Sequence, residues 1–292
     1  MSDNDNPHHD EVTGVDTTGH DWDGIKELNN PLPRWWLWCF YITIVWGILY
    51  TIAYPAWPLV QGATAGALGY STRGEVAEDI AAVEAQNAEV SERLASADLS
   101  TLAVTDPAHQ YGVAGGAAVF RANCSQCHGS GAAGVQAAGY PNLLDDAWLW
   151  GGSLEAIEYT VRHGIRNEQD FDARWSEMPA YDEVFTEEEI ASTAEYVLSL
   201  SGGDHDAAAA AVGMEIFAGE CSSCHGDAGM GDPDLGAPNL TDAIWLYGGT
   251  RDKIIETITY SRFGVMPAWG LRLSEAEIKA VTLYVHQLGG GE

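Results

Sequence analysis

Two five-residue clusters of cysteine and histidine are the feature of the sequence best suited to chemistry. They read CSQCH at residues 124–128 and CSSCH at residues 221–225. Two sulfurs about one helical turn apart can each form a thioether with a vinyl group of a planar haem, and the adjacent histidine can ligate the iron. A zinc half-site and a dithiol redox pair are the rival interpretations. Zinc needs two further ligands in each copy and no cysteine is left over nearby, so the clusters favour two covalently bound c-type haems, on Cys124 with Cys127 and on Cys221 with Cys224.

A methionine follows each cluster and is the candidate for the second axial ligand. Met178 lies 50 residues after His128, and Met266 lies 41 residues after His225; both methionines precede Pro-Ala in matching loops. A thioether sulfur favours the reduced iron and raises its potential, as a carrier of high-potential electrons requires. Histidine and methionine together leave no open iron position for oxygen or peroxide. The chain is therefore predicted to pass electrons and to have no catalytic site of its own.

Other residues near the clusters are weaker candidates for haem contacts. His163 is the second choice of axial ligand in the first copy, although the second copy has Phe263 in the matching Arg-x-Gly setting. Arginine side chains can pair with haem propionates, and tryptophan rings can pack on the haem edge. The residues predicted for these two roles are Arg162, Arg262, Trp148 and Trp245.

The clusters lie in a duplicated block, which indicates two homologous small helical domains at residues 111–203 and 207–292. WLWGGS of the first copy returns as WLYGGT 97 residues later, whereas MPA returns 88 residues later, so the first copy has the longer loop before its methionine. Each copy is predicted to close with a helix that begins at a capping box. These boxes pair Thr186 with Glu189 and Ser274 with Glu277.

Residues 21–60 are predicted to form a pre-membrane segment and a transmembrane anchor. From Trp35 to Tyr54 the chain has 20 residues without a charge, and a helix of that length spans roughly 30 Å, the thickness of the hydrocarbon core. Aromatic residues crowd both ends, which argues against a buried core helix. An acidic leader without a basic start or a cleavage site argues against a signal peptide. Cys39 in this stretch is interpreted as a small apolar residue.

The segments on either side of the anchor are predicted to be polar. Residues 1–20 show no apolar period and are expected to be a disordered tail. Residues 61–110 form a linker, too polar and too rich in Ala and Gly for a second span, that contains an amphipathic helix. Its narrow apolar stripe needs a partner, either another subunit or the chain's own domains. The stripe consists of Val76, Ile80, Val83, Asn87, Val90 and Leu94.

The charge of the chain excludes one class of partner. With 13 basic and 43 acidic residues the net charge is −30, and such a chain repels the phosphate backbone, so no nucleic-acid partner is expected. The acidic surface suits a basic protein partner, or it serves solubility alone. The few cations near the anchor precede it, which places the N-terminus in the cytoplasm by the positive-inside rule.

Residues 19–59, GHDWDGIKELNNPLPRWWLWCFYITIVWGILYTIAYPAWPL, resemble the N-terminal signature and anchor of a known family. This family is the dihaem subunit, called CcoP or FixP or subunit III, of cbb3-type cytochrome c oxidases. The later motifs CSQCH, WLWGG, MPA, CSSCH, WLYGG and MPAW are also similar to that family, so the resemblance covers nearly the whole chain beyond residue 18. The implied fold is all-α, with one N-terminal transmembrane helix followed by two tandem class I cytochrome c domains.

The resemblance also implies a place in respiration. The chain is expected in the bacterial inner membrane with both haem domains in the periplasm. It would take electrons from a donor cytochrome c and pass them to a monohaem subunit, from which they reach the haem–copper centre of a proton-pumping catalytic subunit. By this likeness Cys124, Cys127, His128 and Met178 serve one haem. The second set is Cys221, Cys224, His225 and Met266. Exchange of axial ligands between the domains stays an open alternative.

Two other functions use many of the same residues. A free-standing dihaem carrier, or a docking cytochrome for a periplasmic dehydrogenase, needs the same haems but no fixed partner in the membrane. A patterned segment before the anchor, at residues 19–34, would have no use in such a tether. A dihaem peroxidase would need an open or bis-histidine iron, which the two methionines argue against.

Overall fold

The computed structural model describes residues 8–291, which fall into two compact units that divide after residue 84. Residues 1–7 of the predicted tail and Glu292 lie outside the described residues. The described chain is mostly helical and includes the predicted apolar helix near the N-terminus. Short strands add to this helical fold, so the all-α prediction is correct only in part.

A small antiparallel sheet precedes the apolar helix. Strands β1 (His9–Asp10), β2 (Val15–Trp22) and β3 (Ile25–Leu28) lie in the order β1-β2-β3. Asp23 and Gly24 connect β2 to β3 with φ values of 50° and 87°, and two consecutive positive φ values are typical of a tight two-residue hairpin turn. The structure therefore differs from the disorder expected up to residue 20. The Asp-Gly pair is a turn signal in the sequence that does not depend on apolar periodicity.

Helix α1 (Arg34–Ala53) matches the predicted anchor. Its side chains are almost all exposed to the surroundings, as a helix in contact with lipid requires, and Cys39 is among the exposed residues. Tyr54 ends the helix in an extended conformation, directly before Pro55. Among residues 8–291 it is the one helix long and apolar enough to cross a membrane. A short hairpin of β4 (Pro58–Leu59) and β5 (Gly62–Ala63) follows.

Helix α2 (Thr72–Ser96) carries the predicted apolar stripe. Leu94 is fully buried in a cluster with Leu99, Ala108 and Leu283, and Val90 packs against the same cluster. The C-terminal end of the stripe is therefore covered by the chain's own duplicated unit, one of the two predicted partners. The stripe's first residues stay exposed: Val76, Ile80 and Val83.

The duplicated unit is built from helices that repeat in the same order in both copies. The first copy contains α3 (Pro107–Val119), α4 (Ser125–His128), α5 (Leu154–His163) and α6 (Glu187–Leu200). The second copy contains α7 (Ala207–Ile216), α8 (Ser222–His225), α9 (Arg251–Tyr260) and α10 (Glu275–His286). Both predicted capping boxes are present, at the starts of α6 and α10.

The terminal helices are exchanged between the two copies. α3 of the first copy packs on α10 of the second, and α6 of the first packs on α7 of the second. Glycines allow both crossings, because a Cβ added at Gly116 would lie 2.0 Å from the Ala280 carbonyl oxygen, and one at Gly213 would lie 2.0 Å from that of Ser192. Each apolar core therefore contains residues of both copies, unlike the self-contained domains expected at 111–203 and 207–292.

The physical reason is a choice between equivalent surfaces. The helices that close the two copies, α6 and α10, have matching apolar faces. Either of them can therefore cover either of the helices that open the copies, α3 and α7. Only six residues, 201–206, connect α6 to α7, and helices joined by so short a loop usually pack as neighbours. Once α6 covers α7, α10 is the closing helix that remains to cover α3.

Candidate haem sites

Both cysteine clusters have the same backbone conformation. In each, a π-helical turn, Phe120–Cys124 or Phe217–Cys221, leads into the short helix that ends at the histidine. The first cysteines have nearly equal φ and ψ, −101° and −31° at Cys124 and −104° and −32° at Cys221. The aromatic residue that opens each turn is buried in the core. The clusters are therefore held as two copies of one local structure, as two copies of one cofactor site require.

Each cluster opens onto an apolar cavity that has its histidine in the wall. The His128 cavity is lined by Cys124 and His128, and the His225 cavity by Cys221, Cys224 and His225. Cys127 lies between Cys124 and His128 on α4 and is partly buried, but it is not part of the cavity wall. Two apolar cavities, each with a Cys-His cluster in the wall, fit a flat and mostly apolar ring.

The histidines are oriented by matching backbone carbonyls. Nδ1 of His128 lies 3.2 Å from the Pro141 carbonyl oxygen, and Nδ1 of His225 lies 3.2 Å from that of Pro238. A carbonyl can only accept, so Nδ1 carries the proton and Nε2 keeps its lone pair for a metal. Burial lowers the pKa of both imidazoles, which keeps them in the neutral form that ligates iron.

Burial has the opposite effect on the first thiol of each cluster. It raises the pKa of Cys124 to about 11 and the pKa of Cys221 to about 11. Reactive dithiol pairs instead have lowered thiol pKa values, and zinc sites hold thiolates. The raised values therefore disfavour a reactive dithiol pair, which needs a lowered thiol pKa.

Each methionine lines the cavity of the other copy. Met266 lines the His128 cavity, and Met178 lines the His225 cavity. The resemblance implied Met178 beside His128 and Met266 beside His225; the structure instead places each methionine in the cavity of the other copy, the exchange that the sequence left open. Both methionines face a Cys-His cluster, but it is the cluster of the other copy. The cause is the exchange of closing helices, because α6 and α10 follow the two methionines in the chain.

Hydrogen bonds to their own main chain hold the methionines in their exchanged positions. The N–H of Ile165, just after α5, donates to the Met266 carbonyl, and the Met266 N–H donates to the Ile165 carbonyl, both at 3.0 Å. On the other side, Ser261 at the end of α9 donates its hydroxyl to the Met178 carbonyl. Each methionine is thus bonded to a residue that follows the helix lining the cavity it enters.

The matched arginines are Arg174 and Arg262, not Arg162 and Arg262 as predicted. Arg174 donates from Nε to Thr160 Oγ1 at 2.9 Å, and Arg262 donates from Nε to Thr257 Oγ1 at 3.0 Å. Arg162 instead forms a surface ion pair with Glu275 and a second one with Glu158. The sequence signal was the later offset of 88, which aligns Arg174 with Arg262.

Trp150 supplies a direct test of whether a haem fits. Its ring lines the His128 cavity and is 8% exposed, and its Nε1–H is buried without a hydrogen-bond partner. A buried unpaired donor costs roughly 1–3 kcal/mol, so such groups usually meet an acceptor. Arg174 lies over the same ring, 5.4 Å from its centroid. A donor and a cation together suit a haem propionate, so the site fits the cofactor; the sequence analysis did not single out Trp150.

The remaining predicted contacts have mixed outcomes. Trp148 lines the His128 cavity and Trp245 the His225 cavity, which agrees with their predicted place beside the ring. His163 lines neither cavity, and its Nδ1 lies 3.1 Å from Asp170 Oδ2. The structure therefore gives no support to His163 as an axial ligand.

Comparisons with known proteins give matches along most of the chain. A family model described as the N-terminal domain of cytochrome oxidase-cbb3, FixP, matches residues 14–61. Another, described as cytochrome c oxidase, cbb3-type, subunit III, matches residues 112–197 and 208–285. Among curated relatives, the cbb3-type cytochrome c oxidase subunit CcoP of Cereibacter sphaeroides is 59% identical, over 94% of this chain and 95% of the relative. The FixP subunits of Sinorhizobium medicae and Azorhizobium caulinodans are 48% and 49% identical, over 98% and 100% of both chains.

Proposed function

Because this chain belongs to the subunit III family of cbb3-type cytochrome c oxidases, we propose that it relays electrons through two haems to the oxygen-reducing part of that complex. The chain is an electron-transfer subunit of the oxidase and binds c-type haem. When bound, each haem iron accepts and releases one electron between its ferric and ferrous states. The observation that carries the proposal is the pair of cavities, each with a Cys-His cluster on one wall and a methionine from the other copy.

The proposed ligand sets follow the exchanged arrangement. Cys124 and Cys127 would hold the first haem, and His128 and Met266 would ligate its iron. The second set is Cys221, Cys224, His225 and Met178. Each iron would then have two protein ligands besides the ring and no open position for oxygen, so we infer that the chain has no catalytic site of its own.

The proposed route of the electron runs between protein partners. A donor cytochrome c delivers it to this chain, and a monohaem subunit takes it on to the haem–copper catalytic subunit, which reduces oxygen and pumps protons. Helix α1 anchors the chain in the bacterial inner membrane as a single span. The duplicated unit lies in the periplasm, because haem is attached to Cys-x-x-Cys-His motifs outside the bacterial cytoplasm.

Deletion of residues 19–34 tests membership of a fixed complex. These residues contain half of β2 and all of β3, where Trp22 and Ile25 are 63% and 72% exposed. We expect the tagged full chain, isolated gently from its own membrane, to bring with it haem b, copper and oxygen-reducing activity. The deletion variant should bring none of these, because it has lost a surface that the proposed partners contact.

The control for this experiment is the deletion variant's own haem content. It should still reach the membrane fraction and carry the same covalent haem as the intact chain. Intact chain that purifies alone, with haem but without copper or oxidase activity, would instead support the free-standing carrier.

A second prediction concerns the donor. Beyond residue 60 the chain has 35 acidic and 11 basic residues, and a surface of one sign accelerates encounter with a partner of the other sign. We expect the rate of reduction by a basic cytochrome c to fall on the order of tenfold or more between low and high salt. A small uncharged reductant should show no such fall. Salt-independent reduction by the cytochrome would leave the acidic surface with a role in solubility only.

A further inference from the structure

Both methionine-bearing segments contact a loop that only the first copy possesses. Matching residues are 97 apart up to the end of α5 and 88 apart from Arg174 onwards, so nine residues, 165–173, have no counterpart in the second copy. Backbone hydrogen bonds join the two ends of this loop. The Arg166 N–H donates to the Arg174 carbonyl at 2.8 Å, and the Arg174 N–H donates to the Gly164 carbonyl at 3.1 Å.

The side chain of Arg166 extends from this loop to both methionine-bearing segments. Its Nε donates to the Gly264 carbonyl at 2.7 Å, and its Nη1 donates to the Ser176 carbonyl at 2.6 Å. Its guanidinium also lies 5.5 Å from the centroid of the Phe263 ring. One planar group therefore bonds the main chain of both segments, each time two residues before a methionine.

The backbone of Arg166 shows that its place is imposed by its surroundings. Its φ is +50°, a left-handed conformation that a residue with a long side chain adopts only where the surrounding structure holds it. The preceding residue, Ile165, forms the paired 3.0 Å hydrogen bonds with Met266. The loop is thus fixed to one methionine segment by its backbone, and the guanidinium extends that fixation to the other.

Simple packing does not account for this arrangement. Ser176 and Gly264 lie in segments that pass from one copy's helices to the other's cavity. A guanidinium offers several N–H groups in a fixed plane, so it can bond two carbonyls at once, whereas an ammonium group is a single point of charge. The bonds to Ser176 and Gly264 fix the distance between the two segments just before Met178 and Met266 enter different cavities.

We propose that Arg166 is a positioning residue that holds Met178 and Met266 at their two irons together. The inference rests on the proposed ligand sets. It assigns to one residue of the first copy a control over both electron-transfer sites. Loss of this side chain should therefore loosen both sulfur ligands, although Arg166 lines only the His225 cavity.

The test uses three variants of the full chain in its complex. Arg166→Asn removes the guanidinium but tolerates a positive φ, and Arg166→Lys keeps the charge without the planar fork. Arg272→Asn is the matched control, because Arg272 is an exposed arginine that stacks on Trp269 at 5.6 Å. Each variant is made in a Met178→His background and in a Met266→His background. The readout is the absorption band that arises when a methionine sulfur is bound to the haem iron, and in each background this band reports the one methionine that remains.

We expect both Arg166 variants to lose more than half of the band in both backgrounds and the control to keep it. A band that stays intact in either background overturns the proposal; loss confined to the background that retains Met178 would show Arg166 to be only a wall residue of one cavity. If the asparagine variant fails to carry two haems by mass, the lysine variant decides, and failure of both would show a folding role instead. The proposed function fails separately, if the unaltered chain itself lacks two haems or the band.

Discussion

Replacing Met178 with alanine is expected to remove sulfur ligation from the haem on Cys221 and Cys224, not from the haem on Cys124 and Cys127. Met178 lines the cavity of His225, and the exchanged helix α6 keeps it there. A thioether ligand favours reduced iron, so the potential of that haem should fall. A fall of about 60 mV already changes the one-electron equilibrium about tenfold, which is enough to impede the relay.

A background with one haem makes this result unambiguous. In a Cys124→Ser, Cys127→Ser chain the remaining haem is the one on Cys221 and Cys224. There, Met178→Ala should abolish the sulfur-to-iron band, and Met266→Ala should leave it intact. Absorption spectra and a redox titration of the purified proteins measure both effects.

The opposite pattern would show that each methionine serves its own copy. Loss of the band with Met266→Ala and its retention with Met178→Ala would contradict the exchanged ligand sets, although two His–Met haems would still be present. In the chain with both haems, each single substitution should remove about half of the band, and the double substitution all of it. An unchanged spectrum in the double variant would refute methionine ligation altogether.

Gly116→Ala is expected to destabilise the duplicated unit because it would separate α3 from α10. The added Cβ would lie 2.0 Å from the Ala280 carbonyl oxygen and 2.8 Å from the Tyr284 Cβ. A backbone carbonyl cannot move aside as a flexible side chain can, so the helices themselves must shift. Such overpacking costs about 1–3 kcal/mol, and for a unit of this size each kcal/mol lowers Tm by about 2–4 °C.

The neighbouring glycine is the matched control. Gly115 lies in the same helix, but a Cβ added there would meet nothing within 4 Å. Gly115→Ala should therefore leave the unit unchanged or stabilise it by about 0.5–1 kcal/mol, since alanine is the better helix former. Thermal unfolding and haem retention of the two variants compare them directly. Equal stability of the two would show that α3 and α10 do not cross at Gly116.

Local chemistry was readable from the sequence because it depends on spacing within one short segment. The Cys-x-x-Cys-His clusters, the apolar run that became α1 and the capping boxes of α6 and α10 all belong to this class. The sheet before α1 was not predicted, although its turn at Asp23 and Gly24 is also local, because its strands lack a regular apolar period and only the turn residues indicate it. Arg174 corresponds to Arg262 only when the two copies are aligned with the offset of 88 residues that applies after the longer loop.

The amino-acid sequence specifies the components of the protein: duplicated Cys-His clusters, a methionine for each, an anchor and a strongly acidic surface. Which methionine meets which histidine depends on how the helices pack, because homologous helices present equivalent faces and a sequence repeat is unchanged when its closing segments are exchanged. The roles of Trp150 and Arg166 were hidden for the same reason. Trp150 is a buried donor without a partner, and the Arg166 guanidinium lies between two carbonyls. Both features depend on contacts between distant segments, so the spacing of residues along the chain does not predict them.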